Sequence, residues 1–269
     1  MSTIDHLEAA RRPTARDWSR AMLQGMLQRW LTRWRSLSVW PPVGRVQFGS
    51  LRRTTPISRL FGLDRGARER CIDIVFIERF LNEHQSDIHG HVLEIGDDRY
   101  TRRFGGANVD RSDVLHVRPG DHGATIVADL TAADAVASES FDCIICTQTL
   151  QFIYDVHAAV RTLHRILRPG GVLLASFTGI SQISRYDMDR WGDYWRFTTA
   201  SARRLFEACW PADHVIVKTQ GNALLAVAYL HGLTVDDLRP EEMEAQDDDF
   251  QLVITVRAVK PHLHEEARS

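Results

Sequence analysis

Short apolar runs that alternate with helical patterns from His91 onward constrain the fold of this chain more than any other feature. Seven runs have the length of a strand, at residues 91–95, 112–117, 124–128, 141–146, 171–177, 213–219 and 250–258. Residues 155–167 and 67–84 carry apolar side chains at three- and four-residue spacing, which predicts helices. Because buried strands that alternate with helices form a parallel sheet covered on both faces, the sequence predicts a three-layer α/β sandwich.

Length and composition restrict the class of protein. The chain has 269 residues, 44% of them apolar, which is enough for one full domain and an appendage. Its 33 basic side chains are balanced by 35 acidic ones, so general nucleic-acid binding is not predicted. Its few cysteines favour a reduced compartment, and the sequence shows neither a signal peptide nor a run of about 18 apolar residues. We therefore expect a cytoplasmic protein without a transmembrane segment.

Two of the cysteines, Cys143 and Cys146, form a CxxC pair inside the apolar run 141–146. A metal or redox site would call for a second Cys/His pair nearby, and the neighbouring sequence has none. The pair is predicted to consist of buried strand residues.

Residues 1–44 differ from the rest of the chain. They form a predicted basic amphipathic helix that holds four of the seven tryptophans and ends at Pro41-Pro42. This helix could pack on its own domain or on a second subunit as a homodimer, lie on a membrane or glycan surface, or serve as a flexible arm. The catalytic domain is expected at 45–260, followed by a polar tail at 261–269.

The stretch His91–Gly106, HVLEIGDDRYTRRFGG, is the first candidate for a binding site. A buried strand ends here on Glu94, Ile95 and Gly96 and opens into a polar loop. Ligands of open α/β sheets bind at the carboxyl ends of the strands, and glycine at such an end lets the backbone approach a ligand closely.

Four further segments follow at regular spacing. Asp129-Leu130 ends a strand, and Phe141-Asp142 opens the next one, which is followed by Thr147-Gln148-Thr149-Leu150-Gln151-Phe152. Pro169-Gly170-Gly171 is predicted to be a tight turn between a helix and a strand. The segment Tyr186–Phe197, YDMDRWGDYWRF, has the position of an insertion that covers a substrate. Each segment is common alone, whereas their order and spacing are specific.

Together these segments resemble class I S-adenosylmethionine (SAM) dependent methyltransferases. Residues 45–260 are also similar to bacterial methyltransferases that accompany glycosyltransferases. The resemblance implies a Rossmann-like sandwich with a seven-stranded, mostly parallel sheet whose last strand is antiparallel. It also implies S-adenosyl-L-methionine as the cofactor.

The resemblance implies roles for individual residues. Glu94 would orient the loop or reach the methionine amino group, and Gly96 would let the backbone approach the cofactor. Asp129 and Leu130 would flank adenine, and Thr147 and Gln148 would lie beside the sulfonium. The strand 112–117 leads into Arg118 where the family has an acid for the ribose, so Asp97 or Asp98 is a candidate for that role. Tyr100 would cover the cofactor.

The acceptor would bind under a lid at about 179–198. An alcohol acceptor must lose a proton near the transition state. The candidate bases are Asp187, Asp189, His157 and Tyr186. The substrate candidates are Arg190, Trp191, Tyr194 and Trp195, whose flat rings and charges suit a saccharide; these rings could instead simply pack on the core. Asp187 and Asp189 are too few for a divalent cation, so no metal site is predicted.

We therefore expect O-methylation of a sugar hydroxyl on a glycan or glycosylated metabolite, by in-line methyl transfer. One alternative is a methyltransferase-like module without activity that serves as a binding partner or scaffold. A nicotinamide-dependent Rossmann enzyme is the other alternative, and it is disfavoured because the loop after Gly96 lacks the G-x-G-x-x-G pattern.

Overall fold

The computed structural model describes residues 25–27, 30, 51, 53–66, 68–120 and 123–262. The chain divides into two compact units, Met1–Thr54 and Thr55–Ser269. In the first unit, residues 25–27 and 30 are helical. The remainder of the predicted N-terminal helix, its proline stop and the tail from 263 lie outside the described residues. The fold that follows is that of the second unit.

All seven predicted strands are present in one sheet. They are β1 (Gly90–Ile95), β2 (Val109–His116), β3 (Ile126–Val127), β4 (Phe141–Thr147), β5 (Leu167–Thr178), β6 (Val215–Gln220) and β7 (Val253–Val259). Their order is β3-β2-β1-β4-β5-β7-β6. β1 to β5 are parallel, and β7 runs antiparallel to both of its neighbours. The predicted Rossmann-like sandwich with a reversed last strand is confirmed.

Helices cover both faces of the sheet. They are α1 (Ile72–Glu83), α2 (Val156–Ile166), α3 (Arg185–Met188), α4 (Thr199–Glu207), α5 (Ala223–Leu230) and α6 (Pro240–Glu244). Buried side chains of α2 and α4 belong to one core cluster, and those of α1 and α5 belong to a second cluster on the opposite face. Side chains cap several of these helices, as where the Asp155 carboxylate accepts from Ala158 N at 2.9 Å.

The segment Pro169-Gly170-Gly171 differs from the prediction. It lies inside β5 instead of forming a turn between a helix and a strand. β5 pairs with β4 in parallel, and in this pairing Phe141 lies opposite Leu167 and Cys143 lies opposite Val172. Between these two pairs, β5 therefore has three more residues than β4. Gly170 adopts φ +78°, which accommodates the extra residues within the strand.

The CxxC pair lies inside β4, where Cys143 and Cys146 are fully buried. Burial raises the pKa of both thiols, to about 12 for Cys146.

Strand β2 ends at His116, two residues before Arg118. Over the residues that the structure describes, no helix is both long and apolar enough to cross a membrane.

Candidate functional site

A cleft of about 1070 Å³ opens at the carboxyl ends of β1, β2 and β4. Its volume matches the ~300–1,000 Å³ that is usual for sites that bind small molecules. All of the residues assigned to the cofactor from the sequence line this one cleft, namely Glu94, Gly96, Asp97, Tyr100, Asp129, Leu130, Thr147 and Gln148. The topology brings them together because the ends of parallel strands meet at one edge of the sheet.

Glu94 shapes the first wall of the cleft by holding the loop after β1. Its carboxylate accepts hydrogen bonds from Tyr100 N at 3.2 Å, and from Thr101 N and Thr101 Oγ1 at 2.7 Å each. Burial raises the pKa of Glu94 to about 7, while the hydrogen bonds from Thr101 and Tyr100 act in the opposite direction. These three bonds favour loop orientation, the first of the two roles implied for Glu94.

Gly96 and Tyr100 form the rest of this wall. Gly96 adopts φ +102°, and a Cβ placed there would meet no atom within 4 Å, so its backbone faces open space. Tyr100 is buried in the core cluster of α1, where burial raises its pKa to about 12 and the nearby Arg68 acts against that rise. Tyr100 therefore forms part of the wall. Asp97 accepts from Arg99 N at 3.0 Å, whereas Asp98 pairs with Arg102 and does not line the cleft.

The ends of β3 and β2 form the second wall. Asp129 Oδ1 accepts from Thr131 N and Thr131 Oγ1, each at 2.8 Å, which holds the turn in which Leu130 is buried. At the end of β2, His116 lines the cleft. His116 Nδ1 lies 3.0 Å from Arg118 N and 3.2 Å from Arg118 O, so the backbone after β2 holds the ring in place. His116 was not among the predicted site residues, because the apolar run 112–117 places it inside a strand.

The segment after β4 forms the floor of the cleft. Gln148 has φ +47°, an uncommon conformation for a side chain of this size. Its Oε1 accepts from Gln151 Nε2 at 2.7 Å and from Thr178 Oγ1 at 2.5 Å. Gln148 Nε2 and Gln151 Oε1 are buried without a hydrogen-bond partner in the described part of the chain. Since buried polar atoms are normally paired, this donor and this acceptor fit a polar ligand in the cleft.

The segment 179–198, which was predicted to be a lid, has contacts on both sides of the cleft. On one side, Trp191 meets the end of β2, with the Arg118 guanidinium 4.2 Å from its ring centroid and the His116 ring 5.7 Å away. On the other side, Tyr194 N donates to Gln151 O at 2.9 Å, and Trp195 Nε1 donates to Ile153 O at 3.0 Å. The lid therefore joins the ends of β2 and β4.

Three aromatic rings stand at the rim of the cleft. Tyr154 is 72% exposed, Tyr194 49% and Trp195 37%. The ring of Tyr154 stacks on Trp195 at 6.0 Å between centroids and meets the edge of Tyr194 at 5.4 Å. Tyr154 and Tyr194 line the cleft, whereas Trp195 supports Tyr154 from outside it. Solvent-exposed rings of this kind present flat apolar faces to a ligand.

The four candidate bases are not gathered at one point. Tyr186 and Asp187 line the cleft, together with the substrate candidate Arg190. The Arg190 guanidinium lies 3.5 Å from the Tyr186 ring centroid, and the Asp187 carboxylate accepts from Ser184 Oγ at the start of α3. Asp189 pairs with Arg185 on the surface, and His157 is exposed; neither lines the cleft. Among the described residues, no three His, Cys, Asp or Glu side chains are grouped as a metal site would require.

Comparisons with known proteins add to this geometry. Residues 98–175 match a family model described as a methyltransferase domain. No curated protein matches the chain. Among solved structures, the chain is similar to the N-methyltransferase NodS from Bradyrhizobium japonicum WM9 in complex with S-adenosyl-L-homocysteine, with 15% identity, 77% of this chain and 97% of that one covered, and a TM-score of 0.46.

Two further solved structures are similar at the same level. A SAM-dependent methyltransferase from Archaeoglobus fulgidus has 8% identity, with 73% of this chain and 96% of that one covered, and a TM-score of 0.47. The [4+2]-cyclase SpnF has 13% identity, with 74% of this chain and 85% of that one covered, and a TM-score of 0.48.

The matched segment runs from the loop after β1 to the middle of β5, so it contains most of the cofactor candidates. The family match, the sheet order and the cleft support a SAM-dependent methyltransferase. Its cofactor is S-adenosyl-L-methionine. The cleft fits this group, since it offers an open backbone at Gly96, an exposed acid at Asp129, and an unpaired donor at Gln148.

Proposed function

We propose that this protein transfers the methyl group of SAM to a sugar hydroxyl on a glycan or glycosylated metabolite. The observation that carries the proposal is the aromatic rim of Tyr154, Tyr194 and Trp195 beside the cofactor cleft. Flat rings that remain exposed at a cleft are suited to the apolar faces of a sugar ring. Action alongside glycosyltransferases is part of the same proposal.

The protein's task in such a reaction is mainly alignment. SAM supplies a methyl group on a sulfonium, whose departure as a neutral thioether needs little assistance. What the residues must provide is a fixed distance and direction between donor and acceptor. We assign the donor side to the loop Gly96–Tyr100, to Asp129 with Leu130, and to Thr147 with Gln148.

The ribose end has two candidate residues in this proposal. Asp97 lines the cleft with a half-exposed carboxylate, and His116 stands at the end of β2, where the family resemblance implies an acid. The His116 ring would exchange a hydrogen bond with a ribose oxygen, whereas Asp97 would accept from a hydroxyl. The two roles are compatible within one site.

Binding and transfer assays test the function. We expect isothermal titration to detect SAM and S-adenosylhomocysteine at micromolar affinity, and NADH not at all. Tritium from methyl-labelled SAM should then appear in oligosaccharides and methyl glycosides. Label in simple amines and none in glycosides would contradict the hydroxyl acceptor. If neither SAM nor S-adenosylhomocysteine binds, the chain is a module without activity.

The lid residue Trp191 provides a further prediction. We expect Trp191→Ala to raise the KM for SAM about tenfold with a smaller effect on kcat, because it removes the ring that contacts Arg118 and His116. A cation–π contact contributes about 0.5–2 kcal/mol, and about 1.4 kcal/mol corresponds to a factor of ten. Steady-state kinetics with varied SAM measures this change. Ile183→Ala is the control, since Ile183 is an exposed lid residue that does not line the cleft; an equal effect there would argue against the contact.

A further inference from the structure

Asp73 and Tyr229 form a polar pair in the cleft that the proposed function leaves unused. Asp73 lies in the first turn of α1, and Tyr229 lies near the end of α5. The Tyr229 hydroxyl and the Asp73 carboxylate interact, and each shifts the pKa of the other. Both residues line the cleft, although they are 156 positions apart in the chain.

The Asp73 carboxylate is only partly satisfied. The residue is partly exposed, yet its Oδ1 is buried and has no hydrogen-bond partner in the described part of the chain. A buried acceptor without a donor costs about 1–3 kcal/mol, so a donor from a ligand in the cleft would stabilise this oxygen. Burial raises the pKa of Asp73, and Tyr229 and Arg68 act against that rise. The raised pKa makes this carboxylate a better proton acceptor.

The position of the pair separates it from the adenine side of the cleft. Asp129 and the lid contact of Trp191 lie at β3 and β2, at one edge of the sheet. Tyr229 comes from the helix after β6, the strand at the other edge, and α1 and α5 share one core cluster. Tyr100 joins this cluster to the loop after β1, where the family resemblance implies the methionine end of SAM.

The other acids near the cleft already have partners. The carboxylate of Glu94 accepts three hydrogen bonds from the loop that it holds. Asp187 accepts from Ser184, and Asp189 does not line the cleft. Compared with these three acids, Asp73 is therefore better placed to accept a hydrogen bond from a ligand, through its unpaired oxygen.

We propose that Asp73 accepts the proton of the acceptor hydroxyl and that Tyr229 positions its carboxylate; this inference rests on the proposed function. The acceptor oxygen forms a bond to the methyl carbon while the carbon–sulfur bond breaks. The electron pair of the broken carbon–sulfur bond remains on sulfur. The O–H bond breaks, and the proton passes to Oδ1 of Asp73. The products are a methyl ether, neutral S-adenosylhomocysteine and a protonated Asp73, which returns its proton to solvent.

The isosteric variant Asp73→Asn tests this role by three measurements. We expect methyl transfer from labelled SAM to a panel of methyl glycosides to fall at least 100-fold, in line with general-base contributions of about 10²–10⁴. We expect the affinity for S-adenosylhomocysteine in isothermal titration to change less than threefold. The midpoint of urea unfolding should stay equal or rise, because the variant removes the negative charge of a carboxylate that burial desolvates. Tyr229→Phe should lower transfer about tenfold with unchanged S-adenosylhomocysteine affinity. The control is Asp213→Asn, because Asp213 is exposed and lies outside the cleft.

Each other outcome identifies a different role. A loss of S-adenosylhomocysteine affinity above tenfold would place Asp73 on the methyl donor, and a lower unfolding midpoint would make it structural; either result overturns the proposal. Retained transfer by Asp73→Asn overturns it too. If the wild-type protein labels amines and no glycoside, the proposed function fails and the two variants are compared on the amine. Binding of S-adenosylhomocysteine without transfer to either probe overturns both proposals.

Discussion

Replacing Glu94 by glutamine is expected to weaken the binding of SAM and S-adenosylhomocysteine by about 10- to 100-fold. The carboxylate receives two backbone donors and one hydroxyl donor from Tyr100 and Thr101. A glutamine keeps one accepting oxygen and turns an amide donor toward these groups. A hydrogen bond to a charged group contributes about 1.5–3 kcal/mol, and the loop that forms the cofactor wall loses at least one of them.

Isothermal titration with S-adenosylhomocysteine measures this effect. The matched control is Asp98→Asn, because Asp98 lies on the same loop but pairs with the exposed Arg102 outside the main cleft. Equal affinities of wild type and Glu94→Gln would mean that the loop keeps its shape without the carboxylate.

Glu94→Gln should also change how the free energy of unfolding depends on pH. The pKa of Glu94 is raised to about 7 by burial, so the folded chain holds this proton more tightly than the unfolded chain. Its contribution to the free energy of unfolding therefore falls as pH rises from about 4.5 to about 7. Glu94→Gln cannot lose this proton. We expect urea titrations at pH 5 and pH 7.5 to show a larger decrease for wild type than for the variant, and equal decreases would place the pKa of Glu94 near its ordinary value.

Gly96→Ala is the second change with a large expected effect. The backbone of Gly96 has φ +102°, a region that side chains rarely adopt, and the strain costs about 1–3 kcal/mol. The new methyl group meets no protein atom, since the space beside it is the cleft. It would stand where the backbone approaches the cofactor. We expect the dissociation constant of S-adenosylhomocysteine to rise at least 30-fold.

Gly106→Ala separates the two causes. Gly106 also has a positive φ, +53°, and open space beside it, but it does not line the cleft. If strain alone weakened binding, the two variants would lose similar stability and similar affinity. We expect both to lower the urea midpoint and only Gly96→Ala to lower affinity strongly. A normal affinity for Gly96→Ala would move the cofactor away from this strand end.

The sequence predicts the sheet well because each strand is a local apolar run. All seven runs became strands, and the acid and glycine at the end of β1 fall at the cleft for the same reason. Pro169-Gly170-Gly171 indicates a tight bend, yet whether that bend precedes a strand or lies within it depends on the neighbouring ladder. Local patterns do not contain that information.

The acceptor side was harder to predict because it depends on distant contacts. Asp73 appears in the sequence as one of several polar residues of an amphipathic helix, and Tyr229 as one aromatic residue in another helix. Only packing of α1 and α5 against the same face unites them. The segment 179–198 was located from its aromatic residues, but its contacts with His116, at the end of β2, and with Ile153 depend on tertiary packing. Candidates chosen by residue type alone, such as His157 and Asp189, lie outside the cleft.

The two attachments of the lid have a kinetic consequence. Trp191 rests on Arg118 and His116 at the end of β2, and Trp195 bonds to Ile153 after β4. We expect a nucleoside bound beneath this bridge to leave more slowly than from a cleft without these attachments. S-adenosylhomocysteine would then have a long residence time, and its escape would limit the turnover number. Such an enzyme would be subject to strong product inhibition, so that its rate would follow the cellular ratio of spent to fresh methyl donor.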